Sequence, residues 1–331
     1  MAGTRQGQHV VIGPAERDAK GRFRNPDGTP AGQQLRALWA WLKDGPGPAW
    51  KTPPPDPPQP PPPREVPPGH AALTFIGHAS YALRLADGFT ALFDPIFSAR
   101  CSPFQWVGPK RARPPAWRPA DFERVDAVFV SHAHWDHMDG PSLRELHARF
   151  APLVVTGLGN AANLRREGIG DSVELDWGGT HPLPGGHRAT FVPMRHFAAR
   201  WGNDRAMTLW GGFALETADG GRLLHAGDTA WGPHLEAIGA HFGRFDAAMI
   251  PIGAYEPEWF MQSVHITPEQ ALAAQQELRA RTALAMHHGT FKLTREGIDD
   301  PPRRLLAARG AQDFRVPAFG ETVLVPLSQN P

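Results

Sequence analysis

The chain has 331 residues, of which 41% are hydrophobic, with 34 Lys and Arg against 33 Asp and Glu and a single cysteine, Cys101. This is the composition of a globular protein, and a net charge of +1 provides neither the basic field of a nucleic-acid-binding protein nor an acidic solvating tail. One cysteine excludes an intramolecular disulfide and a cysteine-based zinc cluster, so a metal ion would have to be held by His, Asp and Glu.

The N-terminal segment resembles no targeting signal. Residues 1–9 lack the apolar stretch of a secretory signal, and no run of about 18 apolar residues occurs along the chain. We therefore expect a soluble, cytoplasmic protein.

Residues 1–68 are predicted to form an N-terminal arm, and residues 69–331 one large domain. The arm contains an apolar stripe at helical spacing, formed by Leu35, Leu38, Trp39 and Leu42, with Trp41 on its flank. This stripe could pack on the domain or dip into a membrane surface.

The end of the arm is rich in proline. Eleven of the 16 residues from Pro53 to Pro68 are proline, which predicts a semi-rigid polyproline segment. The segment could be a ligand for an SH3-like partner, but the favoured interpretation is a strap that ties the arm across the domain.

Short strand-like runs follow one another through the large domain. The predicted strands are 72–76, 79–85, 89–93, 127–130, 153–156, 189–193, 209–216, 222–226, 247–252, 283–287 and 322–325. Asp87 and Gly88 predict a two-residue hairpin between the second and third strands. Helices are predicted over Leu143–Arg149 and Pro268–Arg281, and the second is preceded by the capping residue Thr267. Many short strands with helices between them predict an α/β layered fold.

The strongest chemical signal is the segment Ser131–His137, which directly follows the apolar run Val125–Val130. It contains four potential metal ligands, His132, His134, Asp136 and His137. Imidazole and carboxylate are the ligands that zinc takes when thiolate is absent. The segment therefore predicts a metal site at the end of a strand, with enough ligands for two ions.

This segment resembles the His-x-His-x-Asp-His motif of the metallo-β-lactamase superfamily. The other motifs of that superfamily follow in the expected order, each at the end of a predicted strand, at Asp94, His196, Asp228 and His287. The resemblance implies a four-layer αββα fold, in which two mixed sheets are sandwiched between helices.

The resemblance also implies a ligand set for two zinc ions, with iron or manganese as alternatives. One ion would be held by His132, His134 and His196, and the other by Asp136, His137 and His287. Asp228 would bridge the two ions, and Asp94 would accept the other ring N–H of a ligand histidine. His288 is the alternative to His287, and only one of them can be a ligand because neighbouring strand residues point to opposite faces.

Longer segments resemble one branch of the superfamily, the N-acylphosphatidylethanolamine-hydrolysing phospholipases D. These segments are 21–26, 75–80, 94–103, 108–111, 250–261 and 287–291. Cys101, Trp135 and His288 depart from the pattern of the branch, which has a small apolar residue, a tyrosine and an aromatic residue at these positions.

The closer resemblance implies an enzyme, a zinc-dependent phosphodiesterase of the phospholipase D type. It would cleave N-acylphosphatidylethanolamine, or a related phospholipid, to N-acylethanolamine and phosphatidic acid through a metal-bridging hydroxide. The expected catalytic residues are Asp136, Asp228 and His265. His265 could bond a non-bridging oxygen or protonate the leaving group, or it could be a loop histidine that packs near the helix cap.

Five further residues are candidates for substrate contact, namely Trp135, Trp231, Trp259, Tyr255 and Glu256. The three tryptophans lie in or beside motif loops and could wall an apolar channel for acyl chains, or they could be ordinary core residues. Tyr255 and Glu256 could equally brace the loop that carries them.

Two other functions stay open. One is a metal-dependent hydrolase of a soluble lactone, ester or cyclic phosphodiester, and the other is a metal-bound scaffold, against which the complete ligand set argues. The expected partner is a phospholipid or another small-molecule substrate and not a nucleic acid. Peripheral contact with the inner membrane surface and a homodimer are both left open.

Overall fold

The computed structural model describes residues 12–33, 40, 41, 43, 45–51, 53, 54 and 56–329. The four residues of the predicted apolar stripe, Leu35, Leu38, Trp39 and Leu42, lie outside the described residues. Trp41 on the flank of the stripe is described.

The described part of the chain contains fourteen strands in two seven-stranded sheets. The first sheet consists of β1 (His70–Gly77), β2 (Ser80–Leu85), β3 (Thr90–Phe93), β4 (Ala127–Val130), β5 (Leu153–Gly157), β6 (Val173–Leu175) and β14 (Thr322–Pro326), in the order β14-β1-β2-β3-β4-β5-β6. The second sheet consists of β7 (Thr180–Pro182), β8 (Arg188–Val192), β9 (Gly212–Glu216), β10 (Arg222–His225), β11 (Phe245–Pro251), β12 (Ala280–Met286) and β13 (Phe314–Arg315), in the order β13-β12-β11-β10-β9-β8-β7. Each sheet has three antiparallel pairings at one end and three parallel pairings at the other.

The two sheets pack face to face, and helices cover them. The rings of Phe129 on β4 and Phe213 on β9 lie 4.9 Å apart, and Phe93 on β3 stacks on His225 of β10. The helices are α1 (Gly140–Phe150), α2 (Ala161–Arg166), α3 (His234–Phe242), α4 (Glu258–Met261), α5 (Pro268–Glu277) and α6 (Asp300–Ala308). This architecture confirms the predicted four-layer αββα metallo-β-lactamase fold. Among the described helices, none has the length and apolar character needed to cross a bilayer.

Helix α5 begins as the sequence predicts and ends earlier. Thr267 and Gln270 form a capping box, in which each side chain accepts a hydrogen bond from the backbone N–H of the other. The prediction of helix up to Arg281 is wrong, because Ala280 already pairs with Phe245 in the parallel sheet. Sheet pairing therefore overrides the helical pattern at this end.

The hairpin between β2 and β3 forms with a longer loop than predicted. The backbone N–H of Leu85 donates to the carbonyl oxygen of Phe89 at 3.0 Å, which leaves residues 86–88 as the loop. Gly88 at the end of the loop has φ +88°, a conformation that glycine adopts without strain. The two-residue hairpin is therefore corrected to a three-residue one.

The described parts of the arm lie on the domain. Phe23 is buried in the main core, Trp41 stacks on Phe260 at 5.5 Å, and the indole N–H of Trp50 donates to the carbonyl oxygen of Glu296 at 2.8 Å. Prolines 53, 54, 57 and 58 line a cavity of about 470 Å³ together with Trp117 and Phe319. These contacts support the strap interpretation of the proline-rich segment, while the boundary at residue 68 stays a prediction.

Candidate metal centre

The motif residues meet at one edge of the two sheets. Asp94 follows β3, His132 follows β4, Asp228 follows β10 and His287 follows β12. In an open α/β arrangement, ligands bind in the crevice outside the carboxyl ends of strands. The topology therefore brings residues that are distant in sequence into one cluster.

Four side chains form what we call the first donor group, namely His132, His134, His196 and Asp228. His134 Nδ1 lies 2.8 Å from His132 Nε2 and 3.3 Å from His196 Nε2. Asp228 Oδ2 lies 3.8 Å from His132 Nε2 and 3.6 Å from His196 Nε2. All four donor atoms therefore converge on one point.

Asp228 also belongs to what we call the second donor group, together with Asp136, His137 and His287. His137 Nε2 lies 3.6 Å from Asp136 Oδ2 and 3.2 Å from Asp228 Oδ2. His287 Nε2 lies 3.4 Å from Asp136 Oδ2 and 3.3 Å from Asp228 Oδ1. The carboxylate of Asp228 is thus shared between the two groups.

The donor set fits metal ions. Tetrahedral ligands at 2.0–2.2 Å from an ion lie about 3.3–3.6 Å from one another, which is close to most of these separations. The buried atoms His137 Nε2, His287 Nε2 and Asp228 Oδ1 have no hydrogen-bond partner among the described residues. Buried polar atoms are normally paired, so the cluster is suited to two cations that share Asp228.

Hydrogen bonds from outside the two groups orient their histidines. Asp94 Oδ2 accepts a hydrogen bond from His137 Nδ1 at 2.7 Å and another from the hydroxyl of Ser131 at 2.6 Å. His196 Nδ1 donates to the carbonyl oxygen of Val264 at 2.8 Å. Each bond leaves Nε2 of the ring facing the cluster, as is usual for metal-binding histidines. Asp94 therefore makes the contact that the sequence predicts for it.

Burial and charge set the protonation of the cluster. Burial lowers the pKa of His134 to about 3 and that of His132 well below its ordinary value. Burial acts in the same direction at His287, but Asp228 and Asp136 outweigh it and raise the pKa of His287 to about 9. Burial opposes ionisation of Asp228, yet the neighbouring histidines hold its pKa well below the ordinary range. The ionised carboxylates therefore require positive charge beside them, from protons or from metal ions.

His287, and not His288, faces the donor groups. Strand β12 ends at Met286, and His287 lies beyond it at φ +60°. The ring of His288 stacks on Phe75 at 5.5 Å, away from the donor atoms. This geometry agrees with the family pattern, which implies His287 as the ligand. Strand alternation does not explain why the two side chains point apart, because His287 lies beyond the end of the strand.

His78 is a neighbour of the second donor group that sequence reasoning missed. His78 Nε2 lies 2.9 Å from Asp136 Oδ2, and its ring lies 4.3 Å from that of His287. The backbone N–H of His287 donates to the carbonyl oxygen of His78 at 2.7 Å. The signal was present in the sequence, because His78 directly follows the apolar strand β1.

Arg200 braces the loop 131–138 that follows β4, here called the motif loop. No local sequence signal predicts this contact. Its guanidinium donates to the carbonyl oxygens of Ala133 at 3.2 Å and Met138 at 2.8 Å. Glu167 pairs with the same guanidinium at 2.8 Å. The side chain of Arg200 also lies 3.6 Å above the ring of Trp135, so it fixes both the loop and this tryptophan.

His265 lies between the two donor groups. Its Nε2 is 3.9 Å from Asp228 Oδ2, and its ring is 5.1 Å from those of both His196 and His287. The buried Nδ1 of His265 makes no hydrogen bond within the described part of the chain. The position of His265 therefore favours contact with a substrate over the alternative, in which it is a loop histidine that packs near the helix cap.

The candidate substrate residues have different surroundings. Trp135 lies beside the half-exposed Trp201 at 5.0 Å, and Trp259 is 48% exposed. Trp231 is partly buried against the main core. The side chain of Arg304 covers the ring of buried Tyr255 at 4.6 Å.

Glu256 lies 3.6 Å from the same guanidinium of Arg304. The contacts of Tyr255 and Glu256 favour the interpretation that they brace their loop. Their role in substrate binding stays a prediction.

Comparison with known proteins places the chain in a family. The β-lactamase superfamily domain matches residues 90–288. An uncharacterised protein of Mycobacterium tuberculosis is 36% identical over 262 residues, which are 77% of this chain and 67% of that protein. The N-acyl-phosphatidylethanolamine-hydrolyzing phospholipase D 1 of Caenorhabditis elegans is 33% identical over 252 residues, covering 72% of this chain and 70% of that enzyme.

A solved structure supports the same fold. A metallo hydrolase from the archaeon Ignicoccus hospitalis superposes with a TM-score of 0.56 at 24% identity, over 77% of this chain and 98% of that protein. The chain belongs to the metallo-β-lactamase superfamily, in its branch similar to N-acylphosphatidylethanolamine-hydrolysing phospholipase D, and is a metal-dependent hydrolase.

Proposed function

We propose that the protein is a dinuclear zinc phosphodiesterase of the phospholipase D type. Its substrate would be N-acylphosphatidylethanolamine or a related phospholipid, and its products N-acylethanolamine and phosphatidic acid. The observation that carries the proposal is the position of Asp228, whose two oxygens lie 3.2 Å and 3.3 Å from His137 Nε2 and His287 Nε2 while Oδ2 also faces the first donor group. The similarity to the phospholipase D of Caenorhabditis elegans supports the choice of substrate.

The residues of the chain would bind and orient the phosphodiester. When bound, two zinc ions held by the donor groups would activate a water molecule and neutralise charge on the phosphate. His265 is the residue best placed to touch the reacting phosphate, because its Nε2 lies 3.9 Å from Asp228 Oδ2 and its buried Nδ1 has no hydrogen-bond partner among the described residues. It would donate a hydrogen bond to a non-bridging oxygen or pass a proton to the leaving alkoxide.

An apolar surface beside the first donor group suits an acyl chain. The ring of Phe197 lies 4.6 Å from that of His134. Phe197 packs in turn on a small apolar cluster that contains Phe260, Met261 and Val264. Binding sites for small molecules are mostly apolar with a few polar groups, and a lipid with one phosphodiester has this composition.

Mass spectrometry of the products tests the proposal. Zinc-loaded protein is incubated with vesicles that contain N-acylphosphatidylethanolamine in water enriched in ¹⁸O. Attack on phosphorus predicts that the label enters phosphatidic acid and not N-acylethanolamine. Asp228→Asn is expected to abolish product formation, whereas Asp219→Asn, which changes an exposed aspartate on the β9–β10 turn, is expected to retain it.

Two results would contradict the proposal. Label in N-acylethanolamine would show attack on carbon and exclude the phospholipase D chemistry. Intact lipid in the presence of two bound metal ions, with hydrolysis of a soluble lactone, ester or cyclic phosphodiester, would favour the alternative hydrolase.

A further inference from the structure

We propose that the surface loop Ser102–Gly108, here called the docking loop, inserts its apolar side chains into the surface of an anionic lipid membrane. The proposal concerns the place where the enzyme meets its lipid, and it rests on the proposed function for the identity of the substrate. Vesicle binding can nevertheless be measured without any turnover.

The docking loop exposes large apolar side chains together. Phe104 is 52% exposed, Trp106 77% and Val107 45%. The rings of Phe104 and Trp106 stack on each other at 5.4 Å and so present one apolar surface. Contiguous apolar groups on a surface mark sites of interaction, and aromatic rings favour the boundary between water and lipid.

Hydrogen bonds within the loop hold this surface outward. The side-chain amide of Gln105 accepts from the backbone N–H of Arg100 at 3.1 Å and donates to its carbonyl oxygen at 3.2 Å. The guanidinium of Arg100 donates to the carbonyl oxygen of Gly108. Because these polar groups bond one another, the loop can leave water without exposing them to hydrocarbon unpaired.

The charge around the docking loop is complementary to an anionic surface. Residues 95–120 contain no Asp or Glu and five cations, which are Arg100, Lys110, Arg111, Arg113 and Arg118. Two of them are already engaged, because Arg113 pairs with Asp56 and Arg111 donates to backbone carbonyl oxygens. Lys110 is exposed directly beside the loop. Acylation of the ethanolamine amine removes its positive charge, so an N-acylphosphatidylethanolamine carries a net negative phosphodiester. Basic residues near such a surface strengthen membrane binding.

A lipid surface fits the docking loop better than a second copy of the chain. A symmetric contact between two copies would place the same patch on both sides, and the cations flanking the loop would then face each other. Trp41, on the flank of the arm's apolar stripe that could pack on the domain or dip into a membrane, is stacked on Phe260. The loop is therefore the better candidate for contact with lipid.

The base of the docking loop connects to the metal centre through two contacts. Cys101 packs with Phe291 in a small buried cluster. The ring of Phe291 lies 5.1 Å from that of His78, which contacts Asp136 of the second donor group. The base of the docking loop is thus joined by packing to the second donor group.

Vesicle flotation tests the docking loop directly. The full-length protein is mixed with vesicles of phosphatidylcholine alone or of equimolar phosphatidylcholine and phosphatidylglycerol. We expect binding to the anionic vesicles, about tenfold weaker binding of the double variant F104E/W106E, and a smaller loss for Lys110→Gln. Leu324→Glu, which changes a similarly exposed apolar residue on β14, is the matched control and should bind as the wild type does.

The outcomes distinguish a failure of the docking-loop proposal from a failure of the proposed function. If no phospholipid is hydrolysed but flotation depends on Phe104 and Trp106, membrane binding by the docking loop is supported and the proposed substrate is wrong. If lipid is hydrolysed, the ratio of activity on vesicles to activity on dispersed short-chain substrate should fall in the double variant. The docking loop is overturned if the wild type does not float, if the double variant floats equally well, or if the double variant changes only the oligomeric state.

Discussion

The side-chain oxygen of Asn25 accepts a hydrogen bond at 3.0 Å from the backbone N–H of His196, and so connects the N-terminal arm to the metal centre. Asn25 is 4% exposed, and its amide also donates to the carbonyl oxygen of Pro30. Phe23, two residues earlier, is buried in the main core. This part of the arm therefore positions a residue of the first donor group.

Replacing Asn25 by alanine should weaken both the fold and metal binding. The buried N–H of His196 would lose its acceptor, which costs about 1–2 kcal/mol of unfolding free energy. Metal affinity of the first donor group should fall about tenfold, as for other residues that hold a ligand in place. Denaturant unfolding and competition with a chelating dye would measure the two effects. The exposed Asn203→Ala is the control, and equal behaviour of both variants would contradict the prediction.

The side chain of His78 should affect metal affinity at the second donor group and not at the first. His78→Asn tolerates the backbone φ of +56° but removes the 2.9 Å contact with Asp136. We expect affinity for one metal ion to fall about 10–100-fold while the other is retained. Calorimetric titration of metal into the metal-free variant would resolve the two sites. Equal weakening of both sites, or of neither, would count against a role through Asp136.

An exposed histidine on α3 provides the control for this titration. His241→Asn removes an exposed imidazole that packs on Phe242 and belongs to neither donor group, and this variant should bind two ions as the wild type does. A similar loss in both variants would mean that the effect comes from the general loss of a histidine.

The layered fold and the motif residues were predictable because their signals are local. Apolar strands such as β4 and β11 are continuous in sequence, and the polar residue that follows such a strand lies at the sheet edge. Helix α6 was missed because it begins with Pro301 and Pro302, which suggest a break although proline is tolerated in the first turn. Strand β13 has two residues and carries no periodic signal.

The contacts that position the ligands were not predictable from local patterns. Asn25 and His196 are separated by 171 residues, and Arg200 and Glu167 by 33. Only the folded sheets bring these partners together. Sequence reasoning therefore identified residues that could bind metal and, through the family resemblance, Asp94 as a partner of one of them. It could not identify Asn25, Arg200 and Glu167, which hold the site in place from a distance.

His234 should make the protein less stable in acid. Burial, with Arg195 nearby, lowers the pKa of His234 to about 3, whereas Asp27 acts weakly in the other direction. The ring also bonds the hydroxyl of Thr229 at 2.8 Å. Because an unfolded histidine titrates near pH 6.5, the unfolded state binds a proton that the folded state excludes between about pH 6.5 and 3. Stability conferred by this neutral ring is therefore lost as the pH falls.

The variant His234→Gln, which keeps a polar group for Thr229, tests the sign of this effect. Its loss of unfolding free energy between pH 7 and pH 5 should be smaller than that of the wild type by about 2 kcal/mol. Urea unfolding at the two pH values, with metal chelated in both proteins, measures the difference. Parallel pH profiles of the two proteins would refute the prediction.

Removing one charge from the buried pair of Arg200 and Glu167 should lower the unfolding free energy far more than removing one charge from a surface pair. The side chain of Arg200 is 1% exposed and that of Glu167 14%. Glu167→Gln would leave a buried guanidinium uncompensated and should lower the unfolding free energy by about 3 kcal/mol. Glu216→Gln is the matched control, because Glu216 pairs with the exposed Arg188 and such pairs contribute less than about 1 kcal/mol.

A double variant, Glu167→Gln with Arg200→Met, separates charge burial from loop bracing. Removing the stranded charge should restore part of the lost stability. It should lower metal affinity below that of Glu167→Gln, because the carbonyl oxygens of Ala133 and Met138 would lose their donor. If stability recovers and metal affinity does not fall, the guanidinium does not brace the motif loop, and its contacts there are a consequence of packing around Trp135.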